Sequence, residues 1–332
     1  VETRAPKVGV VTVTYNSETV LPDFLDSLAQ QVGVELRLYA VDNDSHDASV
    51  AMLRAESRLG FVAIVPNDSN VGVAVGNNQG IELALQDGCD WVLLLNNDTV
   101  LPGNALATLV QVAEENGLKL LSPAIEATEP AGTIWYGGGK FVPLQGFRTL
   151  HGTAGQSVSQ FPKELVKTGY ASTCCLLVHP AVFKSVGLMD PVYFVYFDDV
   201  DFAVRSVAQG FEYWVTPEVT IIHKASSLTG GKSSPFTVKW VSRNWPLIAI
   251  RHLNVASKFV ALSYIQVWMF ARLALRRDSV NVFRVRQSGF REALRVASAV
   301  PPPRLSYEAT NGQTSGSRLG EGDVRDGSAA EA

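Results

Sequence analysis

The chain has 332 residues, 46% of them hydrophobic and 18% charged, enough for one large domain or two ordinary ones around a sizeable core. A net charge of −4 argues against a protein that coats nucleic acid. The three cysteines, Cys89, Cys174 and Cys175, form neither a CxxC pair nor a disulfide framework, so a reducing compartment is expected. Residues 1–7 do not read as a signal peptide, and without an initiator Met the start reads as trimmed.

Residues 8–14 are rich in β-branched side chains and read as a first buried strand, ending in Tyr15-Asn16-Ser17. Val20, Leu21, Phe24, Leu25 and Leu28 then recur at helical spacing. Residues 36–41 make the next strand, ending in Asp42-Asn43-Asp44-Ser45, and a helix is predicted over 47–58. A third strand covers 61–65, and residues 70–78, with Gly72, Ala74 and Gly76, lead into a helix that ends near Asp87. Trp91-Val92-Leu93-Leu94-Leu95 is an unbroken apolar run that stops abruptly at Asn96-Asn97-Asp98. Such a run reads as a strand buried on both faces, typical of a parallel sheet. Strands alternating with helices predict an α/β fold of right-handed βαβ units with a mostly parallel sheet flanked by helices.

Taken singly, Asn and Asp at a strand end are turn formers. Here three strands end alike, in Thr14-Tyr15-Asn16, Asp42-Asn43-Asp44 and Asn96-Asn97-Asp98, and all three ends fall on the carboxyl edge where open α/β sheets bind ligands. The parts suit a nucleotide. Tyr15 can pack on a base, and Asp42 can accept from the imide N–H of uracil or thymine. Asp98 stands where a hard cation and a phosphate could meet. The small residues Gly72, Ala74 and Gly76 serve either close backbone approach to a ligand or helix packing.

In the second half, residues 118–123 read as a strand and 126–167 as an irregular stretch containing Gly137-Gly138-Gly139; a long loop in a compact domain is usually functional. Residues 170–178 read as a strand whose adjacent cysteines point to opposite faces, as buried core rather than a metal pair. Asp198, Asp199 and Asp201 precede Val204 and Val207 at helical spacing, so the acids fall at a helix N-terminus. Residues 219–224 read as a strand ending in His223-Lys224, and 226–234 as a Gly/Ser/Thr loop able to close over a ligand. Residues 259–275 are apolar but short for a spanning helix, which needs about 20 residues. The basic residues around them leave two readings, an interfacial helix on anionic lipid or a helix packed on the main domain.

The chain resembles the inverting family 2 glycosyltransferases with a GT-A-type fold, and more narrowly their rhamnosyltransferase-like branch. The matching residues are Val13-Thr14-Tyr15-Asn16, Val41-Asp42-Asn43-Asp44-Ser45, Asn70-Val71-Gly72 with Gly76-Asn77, Leu95-Asn96-Asn97-Asp98 and Tyr196-Phe197-Asp198-Asp199-Val200-Asp201. They cover roughly residues 7–253. The resemblance implies that Thr14, Tyr15, Asn16, Asp42, Asn43, Asn70, Gly72 and Asn77 line the donor site. Asn96-Asn97-Asp98 corresponds to the metal-binding DxD motif, with Asn in the first place, which leaves Asp98 as its carboxylate. His223 joins Asp98 at a Mg²⁺ or Mn²⁺ ion, and Lys224 adds charge for the donor diphosphate. Asp199 is the general base, with Asp198 holding the acceptor or orienting the loop. The implied donor is a dTDP- or UDP-sugar, dTDP-rhamnose favoured, and the acceptor a glycan or polyprenyl-linked glycan at the cytoplasmic face of the membrane, in cell-wall or surface-polysaccharide assembly.

The expected organisation is a catalytic domain over 1–250, with a nucleotide-sugar half to about 123 and an acceptor half from about 124. A basic helical extension follows over 251–300, and a disordered tail over 301–332. Two other classes remain open on the residues alone. A nucleotidyltransferase would carry a Gly-rich loop with Arg and Lys after the first strand, where Thr14-Tyr15-Asn16-Ser17 stands. A non-catalytic sugar-nucleotide binder is suggested by Asn96.

Overall fold

The structure, a computed structural model, describes residues 4–224 and 234–300. Its first half alternates β1 (Lys7–Thr14), α1 (Leu21–Ala29), β2 (Glu35–Asp42), α2 (Ser49–Ala55), β3 (Val62–Pro66), α3 (Val73–Gln86) and β4 (Trp91–Leu95). β1 pairs in parallel with β2 on one side and β4 on the other, and β2 pairs in parallel with β3. The chain thus builds outward from β1 and then crosses back, so the strand order reverses between β1 and β4. That reversal opens a crevice at the carboxyl ends of the strands.

The crossover helix α3 lies tight on β1 because two glycines face it. A Cβ at Gly80 would come within 2.4 Å of Val11, and one at Gly76 within 2.9 Å of Val13. Of the two uses weighed for Gly76, packing is the one found. β4 is buried along its whole length, as its unbroken apolar run requires. Each fully buried Leu or Val there stabilises the fold by about 1.5–3 kcal/mol.

The second half adds β5 (Thr99–Val100), α4 (Ala105–Glu115), β6 (Leu120–Ala127), β7 (Ile134–Tyr136), β8 (Gly139–Val142), β9 (Arg148–His151), β10 (Val166–Thr168), β11 (Cys175–Val178), α5 (Pro180–Val186), α6 (Asp198–Ala208) and β12 (Tyr213–His223). The sheet runs β10-β12-β6-β11-β4-β1-β2-β3, with β5 on β12, β7 on β6, and β8–β9 as a separate hairpin. β11 is an antiparallel insert between β4 and β6. The long pairing of β6 with β12 is again parallel.

Several expectations need correction. Residues 126–167 are not irregular: they hold β7, β8, β9 and β10. Strands this short carry no readable periodicity, and their partners lie far away in sequence. The strand expected over 170–178 begins only at Cys175, so the two buried, unbridged cysteines do not share it. The strand expected over 219–224 starts at Tyr213, because a break in register between Thr216 and Thr220 accommodates Pro217. The helix expected over 47–58 is shorter, Ser49–Ala55.

Three helices end the described chain: α7 (Pro235–His252), α8 (Val255–Ala274) and α9 (Val280–Ala299). α7 starts at Ser234, whose hydroxyl accepts from the Thr237 N–H at 3.1 Å. It is tied to the first 224 residues by ion pairs of Arg251 with Asp190 and of His252 with Asp201. The boundary drawn after residue 250 therefore falls inside this helix. α9 crosses α7 closely at Gly289, where a Cβ would meet the Arg243 nitrogen at 2.9 Å. Among the described residues no helix is long and apolar enough to cross a membrane. The loop at 226–233 and the tail at 301–332 lie outside the described residues.

Candidate active site

The donor side is built where β1, β2 and β4 end. The parallel register puts Thr14 beside Asp42, and the Thr14 hydroxyl donates to Asp42 Oδ1 at 2.9 Å. Asp42 Oδ2 accepts from the Ser45 N–H at 2.9 Å. The carboxylate is thus held in one orientation but retains lone pairs for a further donor, such as an imide N–H. Tyr15, the next residue after β1, is 44% exposed, which suits a ring that packs on a planar base.

Other residues of the proposed donor set hold the loops. Asn16 Oδ1 accepts from the His46 N–H at 2.9 Å. Asn43 donates to Asn70 Oδ1 and to the Gly72 carbonyl, and accepts from Asn67. Asn70 Oδ1 also accepts from the Gly72 N–H. Gly72 has φ +85°, and a Cβ there would lie 2.4 Å from the Phe194 carbonyl oxygen. Asn77 is buried, with its Nδ2 3.6 Å from the Met189 sulfur. Asn97 donates to the Val13 carbonyl at 3.0 Å and to Ser17 Oγ at 2.9 Å, which ties β4 to the end of β1. Asn96 is exposed at the edge.

Asp98 and His223 meet, though far apart in sequence. β5 follows Asp98 directly and pairs antiparallel with the end of β12, placing His223 opposite Thr99. Asp98 Oδ1 then lies 3.2 Å from His223 Nε2, with both side chains nearly buried. Burial disfavours the charged imidazole, but the Cys174 thiol and the Asp98 carboxylate beside it outweigh that and raise its pKa. Asp98 is the source that counts, because burial keeps the Cys174 thiol neutral. The Lys224 ammonium is engaged by Asp23, while the Lys224 N–H donates to the Asp98 carbonyl.

A divalent cation at this pair would take the place of the His223 Nε2 proton, since only the neutral imidazole ligates a metal. Adjacent ligands on an octahedral ion with bonds of about 2.1 Å sit about 3 Å apart, the spacing observed. No group of three or more His, Cys, Asp or Glu side chains that could hold a metal occurs among the described residues. Two protein ligands completed by diphosphate oxygens and water is the usual arrangement for Mg²⁺ at a phosphate.

The second acidic centre opens α6. Tyr196 and Phe197 both have positive φ, 65° and 67°, a conformation that costs energy in residues with a Cβ. Asn244 on α7 holds this turn, donating to the Val195 and Tyr196 carbonyls at 2.9 Å each. The turn delivers Asp198 buried and Asp199 half-buried to the helix start. Burial raises the Asp198 pKa, and the Asp199 charge raises it further. Burial also raises Asp199, against hydrogen bonds from the Val200 N–H and Ser172 that lower it. Asp201 behaves oppositely: Arg205 at 2.7 Å and His252 at 2.6 Å hold it ionised despite complete burial. Its role is to anchor α6 to α7.

The two centres are linked through one short segment of chain. Ser172 lies against Asp199, and Cys174 against Asp98 and His223. Two residues span at most about 7 Å, so the short segment before β11 keeps the two centres near each other. An aromatic wall follows the same path. Trp135 stands edge-on to His223 at 4.4 Å between centroids, and also contacts His151. His151 Nε2 is 2.6 Å from the Tyr170 hydroxyl, and Tyr170 feels the Asp199 charge. Sequence reading missed Trp135, His151 and Tyr170, since they sit on three- and four-residue strands or between strands. Their aromatic and imidazole character inside a stretch already marked as functional was the available signal.

A carboxyl sheet edge of polar strand ends with a carboxylate–imidazole pair, and the acid pair of α6 tied near it through residues 172–174, is an arrangement suited to group transfer. The comparisons agree. The family model described as glycosyl transferase family 2 matches residues 9–187, more than half of the chain, so the chain belongs to that family. It is 27% identical over 267 residues to the N-acetylglucosaminyl-diphospho-decaprenol L-rhamnosyltransferase of Mycobacterium tuberculosis, covering 73% of this chain and 84% of that one. The fold is shared with S. aureus TarS residues 1–349 in complex with UDP, at TM-score 0.53 and 15% identity, covering 95% of each chain. It is shared also with GalNAc-T7 bound to UDP, GalNAc and Mn²⁺, at TM-score 0.60 and 14% identity. That alignment covers 90% of this chain and only 57% of that longer one. These are GT-A relatives, and the protein is a glycosyltransferase.

Proposed function

We propose that the protein transfers a rhamnosyl group from dTDP-rhamnose to a hydroxyl of a polyprenyl-linked glycan, with inversion, at the cytoplasmic face of the membrane in cell-wall or surface-polysaccharide assembly. The observation that carries the reaction type is the juxtaposition of Asp98–His223 with Asp198-Asp199 through residues 172–174. The rhamnosyl donor and the lipid-linked acceptor are supported by the mycobacterial relative, whose name specifies both a rhamnosyl transfer and a diphospho-decaprenol.

Tyr15 packs on the thymine ring and Asp42 accepts its imide N–H, while Asn43, Asn70, Gly72, Asn77 and Asn97 keep the loops in place around the nucleoside. Asp98 and, once its proton has left, His223 would hold a divalent ion, whose charge would offset that of the departing diphosphate. Asp199 removes the proton from the acceptor hydroxyl. That oxygen forms a bond to the anomeric carbon from the opposite face, the bond from carbon to diphosphate oxygen breaks, and the nucleoside diphosphate leaves with the electron pair. Burial and the Asp199 charge raise the Asp198 pKa, which disfavours a second negative charge beside the base. Trp135 and His151 line the acceptor side.

The test is a donor panel with a GlcNAc-diphosphopolyprenol acceptor, followed by NMR of the product. Transfer from dTDP-rhamnose with inverted anomeric configuration is the expected result. Retained configuration would sink the single-displacement mechanism, and preference for another sugar nucleotide would sink the donor assignment.

A further inference from the structure

The inner face of α8 is fixed by Ala261, Ile265 and Met269, all fully buried, the last two against Trp245 and Phe290. At 100° per residue the opposite face carries Phe259, Val260, Ser263, Val267, Phe270 and Ala274. Phe259 is 75% exposed, Val267 67% and Phe270 56%. No charged residue stands on that face over a helix of 20 residues, about 30 Å long. An ordinary surface helix is polar there, and an exposed apolar strip of this length marks an interaction surface.

The charges around the strip identify its partner. Asp278 and Glu292 are the only acids from 251 to 300, and both are engaged internally, by Arg272 with Arg286 and by Arg243. Arg276 and Arg277 at the end of α8, and Arg284, Arg291 and Arg295 along α9, are exposed. We propose that the outer face of α8 docks in the plane of an anionic lipid surface, apolar residues among the acyl chains and the exposed arginines at the headgroups. A second copy on this face would bring two sets of unpaired arginines together, which charge complementarity disfavours.

The inner face of α8 packs toward the site, so docking of the helix on its outer face reaches the acceptor side. The turn between β8 and β9 packs on α8: Gly146 sits against Ile265 and Trp245, and the Trp245 indole N–H donates to the Gln145 carbonyl at 2.9 Å. The far end of β9 is His151, on the acceptor side. A four-residue strand spans about 13 Å. The function of the docking rests on the proposed lipid-linked acceptor, since it would present the acceptor's headgroup along this hairpin; the docking itself does not.

The experiment is sedimentation of the full chain with vesicles of phosphatidylglycerol and phosphatidylcholine, or of phosphatidylcholine alone. Comparison is with the double variant Val267→Asp/Phe270→Asp and with Arg276→Glu/Arg277→Glu. Each variant is checked by dTDP calorimetry and circular dichroism. The wild type binds the anionic vesicles about 10-fold more tightly than neutral ones, and salt releases it. Both variants lose about 10-fold or more while dTDP binding is unchanged. Equal pelleting of the wild type and the Asp double variant, or no binding by the wild type, overturns the proposal. So does concentration-dependent dimerisation that the Asp variant abolishes, which would make the face a self-interface. Docking that persists without any transfer to a lipid-linked acceptor leaves this inference standing and refutes the acceptor proposed above.

Discussion

The donor edge and the acceptor side of this site are built by opposite means. At the donor edge, three parallel strands deliver their ends side by side, and most polar residues there bind the protein itself: Asn16, Asn43, Asn70 and Asn97 are tied to neighbouring loops and strand ends. Tyr15 and Asn96 are exposed there, while Asp42 and Asp98 accept from Thr14, Ser45 and His223 and keep lone pairs for a ligand. On the acceptor side the reactive groups arrive from scattered places. Asp199 comes from a strained turn held by Asn244, and Trp135 and His151 from two short strands. A nucleotide platform can be made from local strand ends, whereas a reaction centre needs groups converging from elements remote in sequence.

The largest effect expected on this division is at the base. Asp199→Asn keeps the shape but not the proton acceptor, and should lower kcat for transfer about 100-fold or more while dTDP binding by calorimetry stays within about 2-fold. Near-normal turnover would remove Asp199 from the reaction.

Next is the point where both sides meet. Asp98→Ala removes the carboxylate of the Asp98–His223 pair and should weaken Mn²⁺-supported donor binding about 10- to 100-fold. The apo-protein's affinity for dTDP alone should change much less. If EDTA leaves wild-type activity unchanged, the cation has no part in the reaction.

The donor edge can be broken without touching ligand. Asn97→Ala loses two buried hydrogen bonds and should destabilise the fold by about 1–3 kcal/mol, read as a lowered Tm. An unchanged Tm with weakened donor binding would instead make Asn97 a direct ligand contact.

The pH profile sharpens the contrast further. Asp199 is raised, chiefly by burial, so protonation of the base sets in above the ordinary carboxylate value of about 3.9. Measured kcat should therefore be full at neutral pH and fall as pH drops through that raised value. An acid limb at about 3.9 would show that Asp199 is solvated during turnover. The smallest effect is expected at Tyr15→Ala, a loss of about 3- to 10-fold in donor affinity from one stacking contact, with kcat kept.

Much of the donor half was legible in the sequence because its determinants are local. The β-branched run of β1, the unbroken apolar run of β4 and the polar residues that stop them define strands and their ends without reference to the rest of the chain. The acid pair was legible too, since a helix start is a local event. The strands within residues 126–167 were not, because two- to four-residue strands have no period and exist only through partners on β6, β12 and each other. Which polar residues hold the loops was equally hidden, because the partners of Asn43 and Asn97 lie on elements remote in sequence. The meeting of Asp98 with His223 depends on the β5–β12 pairing, and the apolar outer face of α8 becomes visible only once Ala261, Ile265 and Met269 have fixed which side packs inward. Periodicity says that a helix has faces; only packing decides which one the solvent, or a membrane, sees.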